Sequence, residues 1–339
     1  NWTSTDGEID AGVTFSESCA VQGNPDYTYV PDNNFEQALI DLGYDTALDD
    51  FVLTENISGV TSLVVRAKEI SDLTGIEAFV ALNELTCGSN PLGEVDLSNN
   101  TALTSLSIGL SQLTSLDVSN NTALTYLDCH LNQITSLDVS ANTAITSISC
   151  RNNNLTELDL SNNTALTQLW CYSNQLTSLD VSSNTALTTL WAHNNELTSL
   201  DVSSNTALTI LYAYNNELIS LDVSANTALN DLRLGSNPLT ALDVSNNTAL
   251  LTLSCNDIQL TSLDISANTA LKYLYCNGNQ FTSLDVSNNT EILRMYCHNN
   301  ELTSLDVSAN TALLTLDCHN NQLTYLNMRN GVTDQLTTF

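Results

Sequence analysis

Basic residues are scarce in this chain of 339 residues. Only 7 lysines and arginines stand against 38 aspartates and glutamates, which gives a formal net charge of −31. A surface this acidic repels the phosphate backbone of nucleic acids and the headgroups of anionic membranes, so we expect neither as a partner. No apolar run approaches the length of a transmembrane helix, so we also expect no insertion into a membrane.

Aromatic residues are few as well, at 6% of the chain, and charged residues make up only 13%. Asparagine, threonine, serine, leucine and aspartate fill much of the rest. Low charge combined with abundant leucine argues against intrinsic disorder. The same residues recur every 21 positions, as in the repeat LTYLDCHLNQI-TSLDVSANTA from Leu124 to Ala144. This repetition overrides the two or three globular domains that the length would otherwise suggest.

Each repeat has two similar halves. The first half fits L-x-x-L-x-L-x-x-N-x-L with cysteine in the third apolar slot, and the second half fits nearly the same pattern. Two extended segments per repeat, such as 127–129 and 137–139, leave little room for a helix. The pattern therefore predicts a right-handed, β-rich solenoid with a parallel sheet on one face and a less regular ladder on the other. About eleven or twelve coils would lie about 4.8 Å apart.

The beginning of the chain differs from the repeats. Residues 1–29 are polar without periodicity, which predicts a leader or linker. The chain begins without an initiator Met or a signal peptide, and we interpret it as a mature or trimmed piece of a longer protein.

Residues 30–81 predict an N-terminal cap followed by a divergent first repeat, and residues 82–339 the regular repeats. Asp32 or Asn33 can begin a short helix whose apolar stripe contains Phe35, and Gly43 can end it. This helix is well placed to cover the open first coil, as a solenoid requires.

The repeats resemble those of the leucine-rich-repeat superfamily, on the L-x-x-L-x-[LC]-x-x-N-x-L units. The LTGIE segment from Leu73 to Glu77 and the short period resemble internalin-like repeats. The version rich in cysteine and Asp-Val-Ser resembles secreted repeat proteins of the Bacteroidetes. The resemblance covers about residues 60–328 and implies a leucine-rich-repeat fold of the α/β superhelix class. It leaves the partner open, because these families bind many different partners.

Residues 21 apart stack in columns, and three residue types, asparagine, cysteine and aspartate, recur in such columns. Two asparagine positions per coil can hydrogen-bond the backbone of the neighbouring coil. Eight of the nine cysteines share one inward column with isoleucine, alanine and leucine, which predicts small buried hydrophobes with free thiols. The column contains Cys87, Cys129, Cys150, Cys171, Cys255, Cys276, Cys297 and Cys318. Cys19 lies outside it and is predicted to be unpaired.

The third column is aspartate. One interpretation is a solvated acidic face in which the carboxylates form hydrogen bonds with nearby hydroxyls. A second interpretation is weak Ca²⁺ coordination shared between neighbouring carboxylates. A third is an ice-binding face. The candidates for calcium are Asp117, Asp138, Asp159, Asp180 and Asp201. The glycine-rich turns of dedicated calcium-binding β-rolls are missing, so we predict no dedicated metal site and no cofactor.

The outward positions of the predicted sheet vary, and here the scarce residue types collect. They hold two of the three tryptophans, all four histidines and three of the five arginines. Contiguous exposed aromatics mark interaction sites, and Tyr, Trp and Arg are enriched at binding hot spots. An aromatic ladder that only stabilises the sheet is the alternative. The candidate ligand-binding residues are Tyr126, His130, Arg151, Trp170, Tyr172, Trp191, His193, Tyr212, Tyr214, Arg233, Tyr273, Tyr275, Arg294, Tyr296 and His298.

Catalysis is not expected. His298, Asp317 and His319 are close enough to suggest metal binding or acid–base chemistry, but they belong to a flat, wet face without a pocket that excludes water. No G-x-S-x-G, H-E-x-x-H or phosphate-binding loop occurs.

The sequence therefore predicts a monomeric, non-catalytic, secreted or cell-surface module that recognises a protein through the variable sheet face. The alternative is a glycan-binding module in which Trp170 and Trp191 stack on sugar rings. An ice-binding or passive spacer is a further alternative.

Overall fold

The computed structural model describes residues 26–331, which form a parallel β-solenoid. Thirteen strands lie side by side in one parallel sheet. The first pair of strands is offset by 22 residues, as Leu63 is from Leu85, and in the later pairs each residue pairs with the residue 21 positions along the chain, as Leu190 does with Leu211. This confirms the predicted leucine-rich-repeat solenoid. The sheet strands are β3 (Ser62–Val64), β4 (Glu84–Thr86), β5 (Ser105–Ser107), β6 (Tyr126–Asp128), β7 (Ser147–Ser149), β8 (Gln168–Trp170), β9 (Thr189–Trp191), β10 (Ile210–Tyr212), β11 (Asp231–Arg233), β12 (Thr252–Ser254), β13 (Tyr273–Tyr275), β14 (Arg294–Tyr296) and β16 (Thr315–Asp317).

The core is a continuous stack of apolar side chains inside the coils. The central residue of each sheet strand points inward, and the first and third residues point outward because side chains alternate along a strand. Each coil adds further inward positions before and after its strand. In one coil the residues with no exposed surface are Leu187, Leu190, Ala192, Leu197 and Val202. The 21-residue period thus separates a uniform interior from a variable sheet surface.

The second extended half of the repeat forms fewer β-sheet pairs between coils than the sequence predicts. Among the described residues, its ladder is limited to β15 (Ser304–Asp306) and β17 (Tyr325–Asn327). In earlier coils, side-chain amides supply the contacts between neighbours: Asn163 Nδ2 donates to the carbonyls of Val139 and Asn142, both at 3.0 Å. Because an asparagine side chain takes carbonyls that a backbone N–H would otherwise use, the expected ladder is replaced by an asparagine column.

Both asparagine columns connect successive coils, as predicted. The second column bonds in both directions: Asn195 Nδ2 donates to the carbonyls of Cys171 and Ala192, while its Oδ1 accepts the N–H of Leu176. These bonds satisfy backbone groups at corners where no strand can do so. A residue with positive φ accompanies the corner in most coils, such as Asn194 at 55° and Asn215 at 52°. Asparagine is among the side chains that tolerate this region best.

The cysteine column is buried and its thiols are free, which confirms the prediction. Seven of the eight cysteines described are buried and Cys318 is half-buried. Burial raises the pKa of the Cys87, Cys171 and Cys255 thiols to about 12. Cys19 lies outside the described residues.

We expect these thiols to differ sharply in reactivity. In a Cys19→Ser background at pH 8, Cys318 should react first with an aromatic disulfide reagent, and the seven buried thiols should react only as the protein unfolds, because the thiolate is the nucleophile. Mass spectrometry of the labelled peptides measures the order. Fast labelling of Cys171 or Cys255 in the folded protein would contradict it.

The N-terminal cap begins before residue 30. Strand β1 (Tyr27–Tyr29) pairs antiparallel with β2 (Phe51–Leu53), so the end of the predicted leader segment joins the cap, while residues 1–25 lie outside the described residues. Helix α1 (Asn33–Asp41) has Asp32 as its N-cap, as predicted. Helix α2 (Thr54–Ser58) and a 3-10 turn (Ile76–Ala78) complete the cap and first repeat.

Asp32 also fastens this helix to the first repeat. One carboxylate oxygen accepts the N–H groups of Asn34 and Phe35 at 2.9 Å, and the other accepts the N–H and hydroxyl of Ser71. Phe35 is fully buried and lies 6.4 Å from the ring of Phe79. The helix therefore closes the open end of the core, as expected. None of the helices within residues 26–331 has the length and apolarity needed to cross a bilayer.

Candidate functional site

The fifteen candidate residues lie on the outer face of the thirteen-stranded sheet, in three groups. Tyr126 and His130 belong to the coil of β6, and a larger group extends from Arg151 to Arg233 across the coils of β7 to β11. A third group covers the coils of β13 and β14. Strand β12 separates the last two groups with Thr252 and Ser254. The face is therefore a row of distinct clusters.

The largest cluster, here called the aromatic block, consists of rings stacked from one coil to the next. In one row, the rings of Trp191 and Tyr212 stack at 4.9 Å, and Trp170 meets Trp191 at a right angle with 6.3 Å between centroids. In the second row, His193 is sandwiched between Tyr172 at 4.3 Å and Tyr214 at 4.2 Å. The aromatic block is defined as Trp170, Tyr172, Trp191, His193, Tyr212 and Tyr214. Its packing follows from the register, which places equivalent side chains about 4.8 Å apart.

Two arginines cover the ends of these rows. The Arg233 guanidinium lies 4.5 Å from the centre of the Tyr212 ring and is held there by a bidentate ion pair with Asp231, with both contacts at 2.9 Å. The Tyr212 hydroxyl donates to the same carboxylate at 2.9 Å. Burial, reinforced by Asp231, raises the pKa of Tyr212 to about 12. Arg151 lies 5.8 Å from the Tyr172 ring at the end of the second row.

Stacking hides much of the surface that the sequence predicted to be exposed. Trp170 and Trp191 are half-buried, and His193 is only 5% exposed. The expectation of freely exposed tryptophans is corrected to half-buried rings, because Tyr212 stacks on the face of Trp191 and Trp170 packs at a right angle to Trp191. Burial lowers the pKa of His193 to about 4, so this imidazole stays neutral at physiological pH and stacks as an uncharged ring.

The smaller groups have different contacts. His130 Nδ1 lies 2.7 Å from Asp128 Oδ1, and Tyr126 is 37% exposed. In the third group, Tyr275 and Tyr296 stack at 5.2 Å. Arg294 lies on β14, two residues before Tyr296, and is exposed. His298, also in this group, stacks on His319 at 4.6 Å.

Three aspartates hold these side chains, and of them only Asp317 was singled out from the sequence. Asp128, Asp231 and Asp317 each lie two residues before a histidine or arginine on the same face. Residues two apart on a strand point the same way, so the Asp-x-His and Asp-x-Arg spacing was a usable signal. These aspartates differ from the invariant aspartate column, which lies on another side of the coil.

The invariant aspartate column makes local turns. Asp138 Oδ1 accepts the N–H of Ser140 at 2.9 Å, and hydrogen bonds from the hydroxyl and N–H of Ser140 lower the pKa of Asp138. The other column members bond the serine two residues later in the same way. Within residues 26–331, no three carboxylates of this column come within 4.8 Å of one another. Local turn formation accounts for the column, and shared calcium coordination stays a prediction.

Comparison with known proteins finds internalins among the similar structures. No family model matches the chain. The functional domain of InlJ from Listeria monocytogenes, which includes a cysteine ladder, is 36% identical with a TM-score of 0.77, over 88% of this chain and 72% of that one. An internalin of the same species, inlF, is 25% identical with a TM-score of 0.82, over 91% and 95% of the two chains.

A curated sequence gives a shorter match. Internalin J of Listeria monocytogenes is 38% identical over 73 residues, which is 22% of this chain and 8% of that protein's length. The 36% identity to the InlJ domain over most of both chains fixes the assignment, and the cysteine ladder of that domain matches the cysteine column of this chain. This chain belongs to the internalin-type leucine-rich-repeat proteins.

Proposed function

We propose that this chain is a non-catalytic binding module of a secreted or cell-surface protein, and that it recognises a protein partner through the aromatic block. The observation that carries the proposal is the local departure from the repeat. Outward positions of β5, β7 and β12 hold serine or threonine, whereas three successive coils place six rings side by side. Solenoids of this kind use extended sheet surfaces for binding.

The ring geometry favours a protein over a sugar. A sugar ring stacks on an aromatic face, but both faces of His193 are covered by tyrosines, and Tyr212 lies between Trp191 and Arg233. What remains accessible are half-buried tyrosine and tryptophan side chains and the Arg233 side chain, which is 42% exposed. These groups suit the mixed apolar and polar surface of a protein, where Tyr, Trp and Arg commonly dominate binding.

A glycan is favoured at one place only. Trp170 stands at 90° to Trp191, so these two indoles are not stacked face to face. Glycan binding would then depend on Trp170, and substitution of the stacked rings of the aromatic block would leave it unchanged.

The surface offers little support for catalysis. Open grooves lie along the aspartate side, for example between Asp138, Asp159 and Asp180. An open face leaves reacting groups in water, where electrostatic stabilisation is weak. This supports the proposal that the chain binds without chemistry, and as a monomer whose face is free for a partner.

The test is a binding screen with matched variants. The full chain is probed against an array of extracellular proteins and a glycan array, in parallel with the double variant Trp170→Ala/Trp191→Ala. We expect a protein ligand whose affinity falls about 30-fold or more in the double variant, as for loss of a hot-spot residue. Tyr325→Ala is the control, because Tyr325 is 56% exposed but belongs to β17 in the other sheet.

The outcomes separate the alternatives. A glycan ligand lost with Trp170→Ala alone would replace the protein proposal. If the double variant lowered thermal stability and left every observed ligand bound as tightly as before, the aromatic block would be a stabilising ladder. If Tyr325→Ala abolished binding instead, the proposed face would be wrong.

A further inference from the structure

We propose that His298, Asp317 and His319 form a binding site for a zinc-like divalent transition-metal ion at the C-terminal part of the sheet face. One donor atom from each of the three side chains lies within 4.8 Å of the other two. The three residues come from two neighbouring coils, with Asp317 in β16 and the histidines 21 positions apart. The site lies outside the aromatic block, and the proposal does not depend on the proposed function.

The two imidazoles converge on one carboxylate. His319 Nδ1 lies 2.5 Å from Asp317 Oδ1, and His298 Nδ1 lies 3.3 Å from Asp317 Oδ2. The His298 contact lacks hydrogen-bond geometry, so this buried nitrogen has no hydrogen-bond partner within the described structure. A buried imidazole nitrogen without a partner is costly, and a metal ion in front of it would remove the cost.

The donor set selects the kind of ion. Two imidazole nitrogens and one carboxylate suit Zn²⁺, Ni²⁺ or Cu²⁺, whereas Ca²⁺ and Mg²⁺ prefer oxygen ligands throughout. Asp317 lies in a chain of net charge −31, which raises the local concentration of cations. Three protein ligands on an open face leave further coordination positions to water or to a ligand group.

The geometry needs only a small adjustment at the exposed side. Zinc lies about 2.0–2.2 Å from nitrogen and oxygen ligands, so an ion between His319 and Asp317 requires them to separate and the stacked rings to turn. The His319 side chain is 47% exposed and can turn without disturbing the core. His298 and Asp317 are 20% and 16% exposed, so they form the fixed part of the site.

The chain contains its own control. Asp128-Cys129-His130 repeats the local sequence of Asp317-Cys318-His319, with His130 Nδ1 2.7 Å from Asp128 Oδ1. The coils on either side place Gly109 and Arg151 where a second histidine would be needed. The two pairs therefore differ in the third ligand, and only the pair with His298 should bind an ion.

The experiment is calorimetric titration of the full chain with Zn²⁺ in a Cys19→Ser background, with excess Ca²⁺ present to occupy surface carboxylates. We expect one Zn²⁺ per chain. His298→Gln and His319→Ala should each weaken binding by about tenfold or more, and His130→Ala should leave it unchanged. Cu²⁺ binding followed by electron paramagnetic resonance should show coupling to two nitrogens, reduced to one in His319→Ala.

Three results would overturn the proposal. The first is no Zn²⁺ binding above the Ca²⁺ background. The second is wild-type affinity in both His298→Gln and His319→Ala, with each variant shown by circular dichroism to be folded. The third is an equal loss in His130→Ala, which would show that an isolated Asp-x-His pair suffices.

Discussion

Asn121→Asp should lower the free energy of unfolding by about 3–5 kcal/mol, the cost of leaving a buried charge without a partner. The Asn121 side chain is fully buried, and its Nδ2 donates to the carbonyls of Leu97 and Asn100 at 3.0 Å. Aspartate has the same shape but would turn an anionic oxygen toward these two acceptors. The second carboxylate oxygen would take the place of Asn121 Oδ1, which accepts no hydrogen bond within the described structure. It would therefore form no hydrogen bond that offsets the buried charge.

The neighbouring residue is a matched control. Asn120 is exposed, and Asn120→Asp adds the same charge to the same coil, so it should leave stability within about 0.5 kcal/mol of the wild type. Chemical denaturation followed by circular dichroism measures both variants. Equal destabilisation by the two would show that added charge is responsible, and not the lost amide donor.

The Asn121→Asp effect should also depend on pH with a definite sign. Burial of an unpaired carboxylate raises its pKa in the folded state above the unfolded value. The destabilisation should therefore be smallest in acid, where the group is protonated in both states, and should grow as the pH rises. A loss that grew toward acid pH would contradict this explanation.

Phe35→Ala should remove the cap from the end of the solenoid, at a cost of about 3–5 kcal/mol for a buried phenylalanine. Phe35 has no exposed surface and packs near Phe79, which belongs to the first repeat. Its loss leaves a cavity between helix α1 and the core. Because a solenoid needs a covered terminal coil, we expect aggregation and fast hydrogen exchange in residues 62–86 as well as a lower melting temperature.

The control for the cap is Gln37→Ala on the exposed side of the same helix. Gln37 donates to Asp41 at 3.0 Å on the surface, so its loss should change stability by about 0.5 kcal/mol or less. Size-exclusion chromatography and hydrogen exchange compare the two variants. A soluble, monomeric Phe35→Ala protein with wild-type exchange in β3 and β4 would show that the helix is dispensable.

The fold could be predicted from the sequence because its physical cause is local and repeated. Leu190 and Leu211 occupy the same place in successive repeats, and a strand of three residues fixes which neighbours face inward. One correct repeat therefore determines the others. The second ladder was overpredicted for the same reason: Asp138 and Val139 resemble a strand, but the turn to Ser140 and the amide of Asn163 take the groups that pairing would use.

The candidate site could be predicted only in part. Trp170, Trp191 and Tyr212 were placed on one face by their spacing, and they lie there. That Trp191 and Tyr212 stack face to face and that Arg233 covers Tyr212 depends on ring rotation and on Asp231, which holds Arg233. Such contacts depend on the rotamers of side chains in neighbouring coils, and the spacing of residues along the sequence does not specify rotamers.

The sequence by itself determined the solenoid, the inward cysteines and the face on which scarce residues collect, because each follows from a period of 21 and the alternation of a strand. Only the tertiary structure decided what those residues present to a partner. It covered the tryptophans with their neighbours, neutralised His193 by burial and directed two histidines onto Asp317. The reason is distance: stacking, burial and metal coordination act between atoms a few ångströms apart, and in this chain many of those atoms belong to residues about 20 positions apart, such as Trp191 and Tyr212 or His298 and Asp317.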